Sequence, residues 1–115
     1  MLLLPNLMLS RDIHYGKPSV INAIEHLELF LKSAKRSEKI VEVITGYGST
    51  GKTHKIKSAV IDYLDELKQK KYIKDFIWGN ELDIFCSKYQ KFPYKNLIPE
   101  IEKQSLNRGK VFIVL

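Results

Sequence analysis

Two stretches of this chain hold residue types suited to chemistry on a phosphate. The first is Asp12-Ile13-His14. Imidazole exchanges protons near neutral pH, which suits a general acid or base, and it could take the proton from a ribose 2′-hydroxyl. Asp12 could orient His14, hold a cation or bind a base edge. Residues two apart on a strand share a face and lie roughly 6–7 Å apart at Cα. The bland alternative for the pair is a strand end with polar groups in solvent. The second stretch is Gly46-Tyr47-Gly48-Ser49-Thr50-Gly51-Lys52-Thr53. Glycines let backbone approach an anion closely, and the first N–H groups of a following helix are unpaired and partly positive. Lys52 and Lys55 are the best phosphate binders, with His54 and Lys57 nearby. Tyr47 at the loop tip could stack on an unpaired base or be an exposed aromatic with no task.

The elements that must position these groups read as a single α/β domain. Leu7–His14 alternates as a strand. Ser19 is an N-cap for a helix reaching about Ala34, with Val20, Ala23, Ile24, Leu27, Phe30 and Leu31 as its buried stripe. Ile40–Thr45 is β-branched and nearly all apolar, as a central strand should be. The second helix starts near Lys52 or Thr53 and reaches about Lys70, with Ile56, Ala59, Val60, Tyr63, Leu64 and Leu67 on one face. Tyr72–Ile77 is a third strand. Two βαβ crossovers make these three strands parallel. Leu82–Cys86 is a short strand or an irregular excursion, and Leu97–Leu106 a short helix with Pro99 near its first turn. Asn107-Arg108-Gly109 is a turn before a last strand, Val111–Leu115.

In such sheets ligands gather at the carboxyl ends of parallel strands. Asp12, His14 and the Gly46–Thr53 loop should therefore share one rim. An antiparallel last strand would bring Arg108 to it as well, as a further phosphate contact. Trp78, Phe85 and Tyr89 read as packing residues, Cys86 as a small buried residue, and His26 has no assigned role.

The chain has 115 residues, enough for one domain with a real core. Its net charge of +6 suits a polyanionic partner. One cysteine leaves no internal disulfide and no cysteine-based zinc site. Met1–Leu4 is apolar but interrupted by Pro5, too short for a signal peptide or a membrane span. A cytoplasmic protein without a membrane role is expected.

Gly46–Thr53 fits G-x-x-x-x-G-K-[ST] in full, between a strand and a helix. As a Walker A motif it would place Lys52 on the β/γ-phosphates and Thr53 on Mg²⁺. Against a nucleotide site, no clean acidic residue ends a second apolar strand, and Asp12 and His14 would have no task.

Taken together the pieces resemble the Smr (small MutS-related) domain family. Arg11-Asp12-Ile13-His14-Tyr15-Gly16 resembles that family's Leu-Asp-Leu-His-Gly stretch, with Tyr15 inserted before the glycine. Thr45-Gly46-Tyr47-Gly48, preceded by Val43-Ile44, is similar to its Thr-Gly-x-Gly strand end, and Ala59-Val60 to an Ala-Val pair in the helix that follows. Its double-glycine turn is reduced here to Gly109, and about 79–106 is an insertion. The resemblance implies a two-layer α/β sandwich with a βαβαββ-like mixed sheet, similar to the C-terminal domain of translation initiation factor three. It implies binding of DNA or RNA, with nicking or RNA cleavage, in DNA repair, recombination, RNA quality control or ribosome rescue, the last with ribosome association. Asp12 and His14 would then be catalytic, and Thr45, Gly46, Tyr47, Gly48, Lys52, Lys55 and Arg108 would bind nucleic acid. No protein metal site is assigned. A divalent cation, Mg²⁺ or Mn²⁺, is compatible with this chemistry, and a binding module without catalysis is the milder alternative.

Overall fold

The computed structural model describes residues 8–16, 18–48 and 51–115, leaving the side chain of Lys52 aside. Four strands, β1 (Leu9–Asp12), β2 (Ile40–Ile44), β3 (Asp75–Trp78) and β4 (Lys110–Val114), form one sheet in the order β1-β2-β4-β3. β1 and β2 pair in parallel, and β4 is antiparallel to both β2 and β3. The three expected co-directional strands are there, but β4 separates the third from the second.

Helices α1 (Val20–Ala34) and α2 (Gly51–Gln69) cover one sheet face, making a two-layer α/β sandwich. Ser19 caps α1, its hydroxyl accepting from the Asn22 N–H at 3.1 Å. Ala23, Leu27, Phe30 and Leu31 of α1, and Ile56, Val60, Leu64 and Leu67 of α2, meet Val41, Val43, Val111 and Ile113 of the central strands. The 3.6-residue period in each helix and the period of two in each strand make these the facing residues.

The opposite face is not left to solvent. Beyond β3 the chain makes a turn of 3-10 helix at Gly79–Glu81, a short helix α3 (Ser87–Lys91), a second 3-10 turn at Lys95–Leu97 and a short helix α4 (Glu100–Ser105). Leu82, Phe92 and Ile98 from this excursion bury Ile77, Phe112 and Val114. No strand forms over Leu82–Cys86. Phe85 is 84% exposed, so it is not a packing residue, and Cys86 is only half-buried.

β1 and β3 are shorter than expected. Leu7 lies outside the described residues, and at the other end of β1 the Asp12 side chain bends the chain at His14. Residues 72–74 lie between α2 and β3, where the chain turns off the helix: Lys71 takes a positive φ of 62°, and the Tyr72 N–H donates to the Leu67 carbonyl. A partly buried polar cluster joins the excursion to the sheet. Lys110 lies 3.1 Å from Glu42 and 3.3 Å from Glu102 of α4, and the Ser10 hydroxyl donates to Glu42.

Candidate functional site

The carboxyl ends of β1, β2 and β3 and the amino end of β4 share one rim, as Asp12 aligns with Ile44, Ile44 with Lys110 and Trp78 with Val111. Asp12 closes β1. Its Oδ1 accepts from the backbone N–H of His14 at 2.9 Å and of Tyr15 at 3.1 Å. The same oxygen lies 2.6 Å from His14 Nδ1. Nδ1 is buried, and the carboxylate stands off the ring's N–H direction, so the contact is electrostatic rather than an aligned hydrogen bond. A carboxylate there still favours the tautomer protonated on Nδ1, which leaves Nε2 as the basic atom.

That ring packs on the glycine loop. A β-carbon at Gly46 would stand 3.1 Å from His14 Cδ2 and 3.3 Å from Nε2. Gly46 and Gly48 both take φ of +80°, a conformation glycine adopts without steric cost. Thr45 anchors this loop to the turn before β4. Its N–H donates to the Gly109 carbonyl at 2.8 Å, and its buried hydroxyl lies 3.1 Å from the Gly46 carbonyl and 3.4 Å from that of Gly109. Thr45 is therefore a positioning residue, turned inward and away from any ligand. Asn107 shapes the facing turn, its Oδ1 accepting from the Gly109 N–H at 2.8 Å. His14, Gly46, Tyr47, Thr53, Asn107 and Gly109 border a cleft of about 240 Å³.

Positive charge reaches this cleft by a route other than the expected one. Lys57 lays its stem against Gly48, donates to the Arg108 carbonyl at 2.6 Å and sits 4.6 Å from the Trp78 ring centroid. Burial, and then the nearby Arg108 charge, lower its amine below the ordinary lysine value, with Glu81 acting the other way. Arg108 is exposed, 5.8 Å from the Tyr47 ring centroid. Lys55 does not join this group. It is exposed, and two residues along a helix turn about 200°, which sets it opposite Thr53 and Lys57. Lys52 is the second residue of α2, and its side chain, like Ser49 and Thr50, lies outside the described residues.

No family model, curated protein or solved structure matches this chain. The site's chemistry therefore rests on its own residues. Among the described residues, no group of three or more His, Cys, Asp or Glu is placed to hold a metal, and no helix is long and apolar enough to cross a membrane. At the end of β3 the nearest acid is Glu81, whose carboxylate accepts from the Trp78 N–H at 2.9 Å and pairs with Lys88 at 3.4 Å. A larger cleft, about 590 Å³, opens by Lys39–Ile40, at the opposite end of the strands. It has no histidine, and none of the convergent groups described above reaches it.

Lys57 and Asn107 are the site residues that sequence reasoning underrated. Lys57 lies one helical turn beyond Thr53 and so shares its face, and Asn two residues before a glycine is a turn-forming signal.

Proposed function

We propose that this chain is an Smr-type nucleic-acid-binding domain that cleaves a phosphodiester, with His14 as its acid–base residue. The observation that carries this reading is the contact of the His14 ring with Gly46, which joins the Asp12-Ile13-His14 and Thr45-Gly46-Tyr47-Gly48 motifs at one cleft. Arg108 and Lys57 supply positive charge beside it. In the mechanism, the phosphodiester lies over the glycine loop. His14 Nε2 takes the proton from the attacking oxygen, the 2′-hydroxyl of RNA or a water molecule. The oxygen attacks phosphorus, the P–O bond to the leaving oxygen breaks, and that oxygen takes its proton from solvent while His14 later returns its own to water. Asp12 holds the tautomer and turns the backbone. Asp12 and His14 offer a cation only two side chains, one of them already engaged by two N–H groups, so no step is assigned to a metal.

The test is a titration of labelled RNA, single- and double-stranded DNA, ATP and GTP, with and without Mg²⁺, with cleavage followed in parallel. The expected result is salt-sensitive oligonucleotide binding with cleavage, and His14→Ala abolishing cleavage while retaining binding. RNA carrying one deoxy position at the cleaved bond resists if the 2′-hydroxyl attacks. Undiminished cleavage by nuclease-free His14→Ala overturns the catalytic assignment. Saturable Mg·ATP or Mg·GTP binding, abolished by Lys52→Ala and without oligonucleotide affinity, overturns the reading in favour of a nucleotide site.

A further inference from the structure

Resting on the nucleic-acid reading above, we infer that the cleft takes a single strand, and that Tyr15 and Tyr47 stack on unpaired bases beside the held phosphate. His14 and Gly46 are in contact, and each is followed in the chain by a tyrosine. Tyr15 and Tyr47 thus leave the same point of the rim on two different loops. Their side chains are 87% and 57% exposed, aromatic surface with little protein cover. The Tyr15 N–H donates to Asp12 Oδ1, and Tyr47 lies between two glycines of positive φ. Arg108 adds a guanidinium plane 5.8 Å from the Tyr47 ring centroid, a flat cationic surface beside the neutral ring.

The physical argument turns on what each form of nucleic acid offers. In a duplex, base faces are covered by their neighbours, so only edges, sugars and phosphates reach the protein. Exposed rings gain nothing from such a ligand. In a single strand the faces are free, and each stacked base contributes about 1–3 kcal/mol whatever its identity. Two presented rings beside one phosphate site therefore select for unpaired bases without reading sequence.

The experiment measures affinity for single-stranded RNA, single-stranded DNA and their duplexes, all of one sequence at one salt concentration. Single strands should bind at least about tenfold tighter than duplexes. Tyr15→Ala and Tyr47→Ala should each weaken single-strand binding by about 5- to 150-fold and leave duplex binding unchanged. Tyr15→Phe and Tyr47→Phe should restore it, since the ring and not the hydroxyl stacks. Both side chains are exposed, so unchanged thermal unfolding verifies that the variants are folded. Either sugar satisfies the inference, and the difference between the RNA and DNA arms names it. Equal affinity for single strands and duplexes, or wild-type affinity in both alanine variants, overturns the single-strand inference and leaves nucleic-acid binding standing. Absence of binding in all four arms overturns the nucleic-acid reading itself.

Discussion

The imidazole of His14 packs on Gly46 so closely that a β-carbon there would meet it at 3.1 Å. Gly46→Ala therefore has two effects: strain from a φ of +80°, and displacement of the ring. Gly16 separates them, because it takes a φ of +79° with nothing within 4 Å of its β-position. Each alanine should cost about 1–3 kcal/mol of strain. Only Gly46→Ala should also shift the His14 ring resonances and abolish cleavage. Denaturant unfolding of both variants, with NMR of the imidazole, makes the comparison. Equal loss of cleavage in the two would show that His14's seat on Gly46 is immaterial.

Asp12 serves the backbone and the imidazole through one oxygen, and the two tasks can be separated. Asp12→Asn keeps an acceptor for the His14 and Tyr15 N–H groups but removes the negative charge beside Nδ1. Its stability should stay within about 0.5 kcal/mol of wild type while cleavage falls by about a factor of 10². Asp12→Ala should cost a further 1 kcal/mol or about that in stability, since the turn loses its acceptor. Wild-type cleavage by Asp12→Asn would mean that the carboxylate only turns the chain.

The sequence made these groups legible where periodicity is strong. The stripe Ala23, Leu27, Phe30, Leu31 and the stripe Ile56, Val60, Leu64, Leu67 lie where helical spacing puts them, and the β-branched Ile40–Ile44 is central in the sheet. Parallel strand direction then implied a shared rim. Other features depend on tertiary contacts that have no local signature. β4 enters between β2 and β3, which no spacing announces. In the excursion, Leu82, Phe92 and Ile98 are buried at irregular intervals because short turns position them, so no period could reveal them. Its start is fixed by close approach: a β-carbon on Gly79 would collide with the Asn107 carbonyl. Thr45 looked like a ligand contact, yet its hydroxyl is spent on two carbonyls. The choice between Lys55 and Lys57 needed the phase of α2 relative to the loop, which follows only once the helix start is known.

Lys110 gives a prediction with a defined sign in pH. Burial alone would lower its amine, but hydrogen bonds and charge from Glu42 and Glu102 outweigh this and raise it above the ordinary 10.5. A raised lysine stabilises the fold fully below the unfolded value of 10.5, and that contribution fades as pH climbs through the higher folded value. Lys110→Gln leaves Glu42, largely buried, with less compensation and should cost about 1–3 kcal/mol near neutral pH. Urea unfolding of both proteins from about pH 9 to about pH 12 should show the gap narrowing toward the alkaline end. A gap that stays constant across this range would detach the stabilisation from Lys110's charge.

Lys57 is where stability and binding pull in opposite directions. Its ammonium is partly desolvated beside Arg108, and its amine is accordingly lowered. Between that lowered value and the unfolded 10.5, Lys57 in the unfolded chain binds more protons, so its contribution to stability should rise with pH across the interval. Lys57→Met keeps a flexible stem against Gly48 and Trp78 but removes the charge and the bond to the Arg108 carbonyl. It should abolish that rise in stability. An anion at the cleft relieves the same like-charge strain, so the residue that is uncomfortable in the free protein favours the bound one. Lys57→Met should then weaken oligonucleotide binding and reduce the slope of log K against log salt by about 0.7 for a single strand, the equivalent of one phosphate. Lys55→Met, which removes the same charge from the far side of α2, should leave the slope close to wild type. The reverse pattern, with Lys55 setting the slope and Lys57 not, would place the anion on another surface of the molecule.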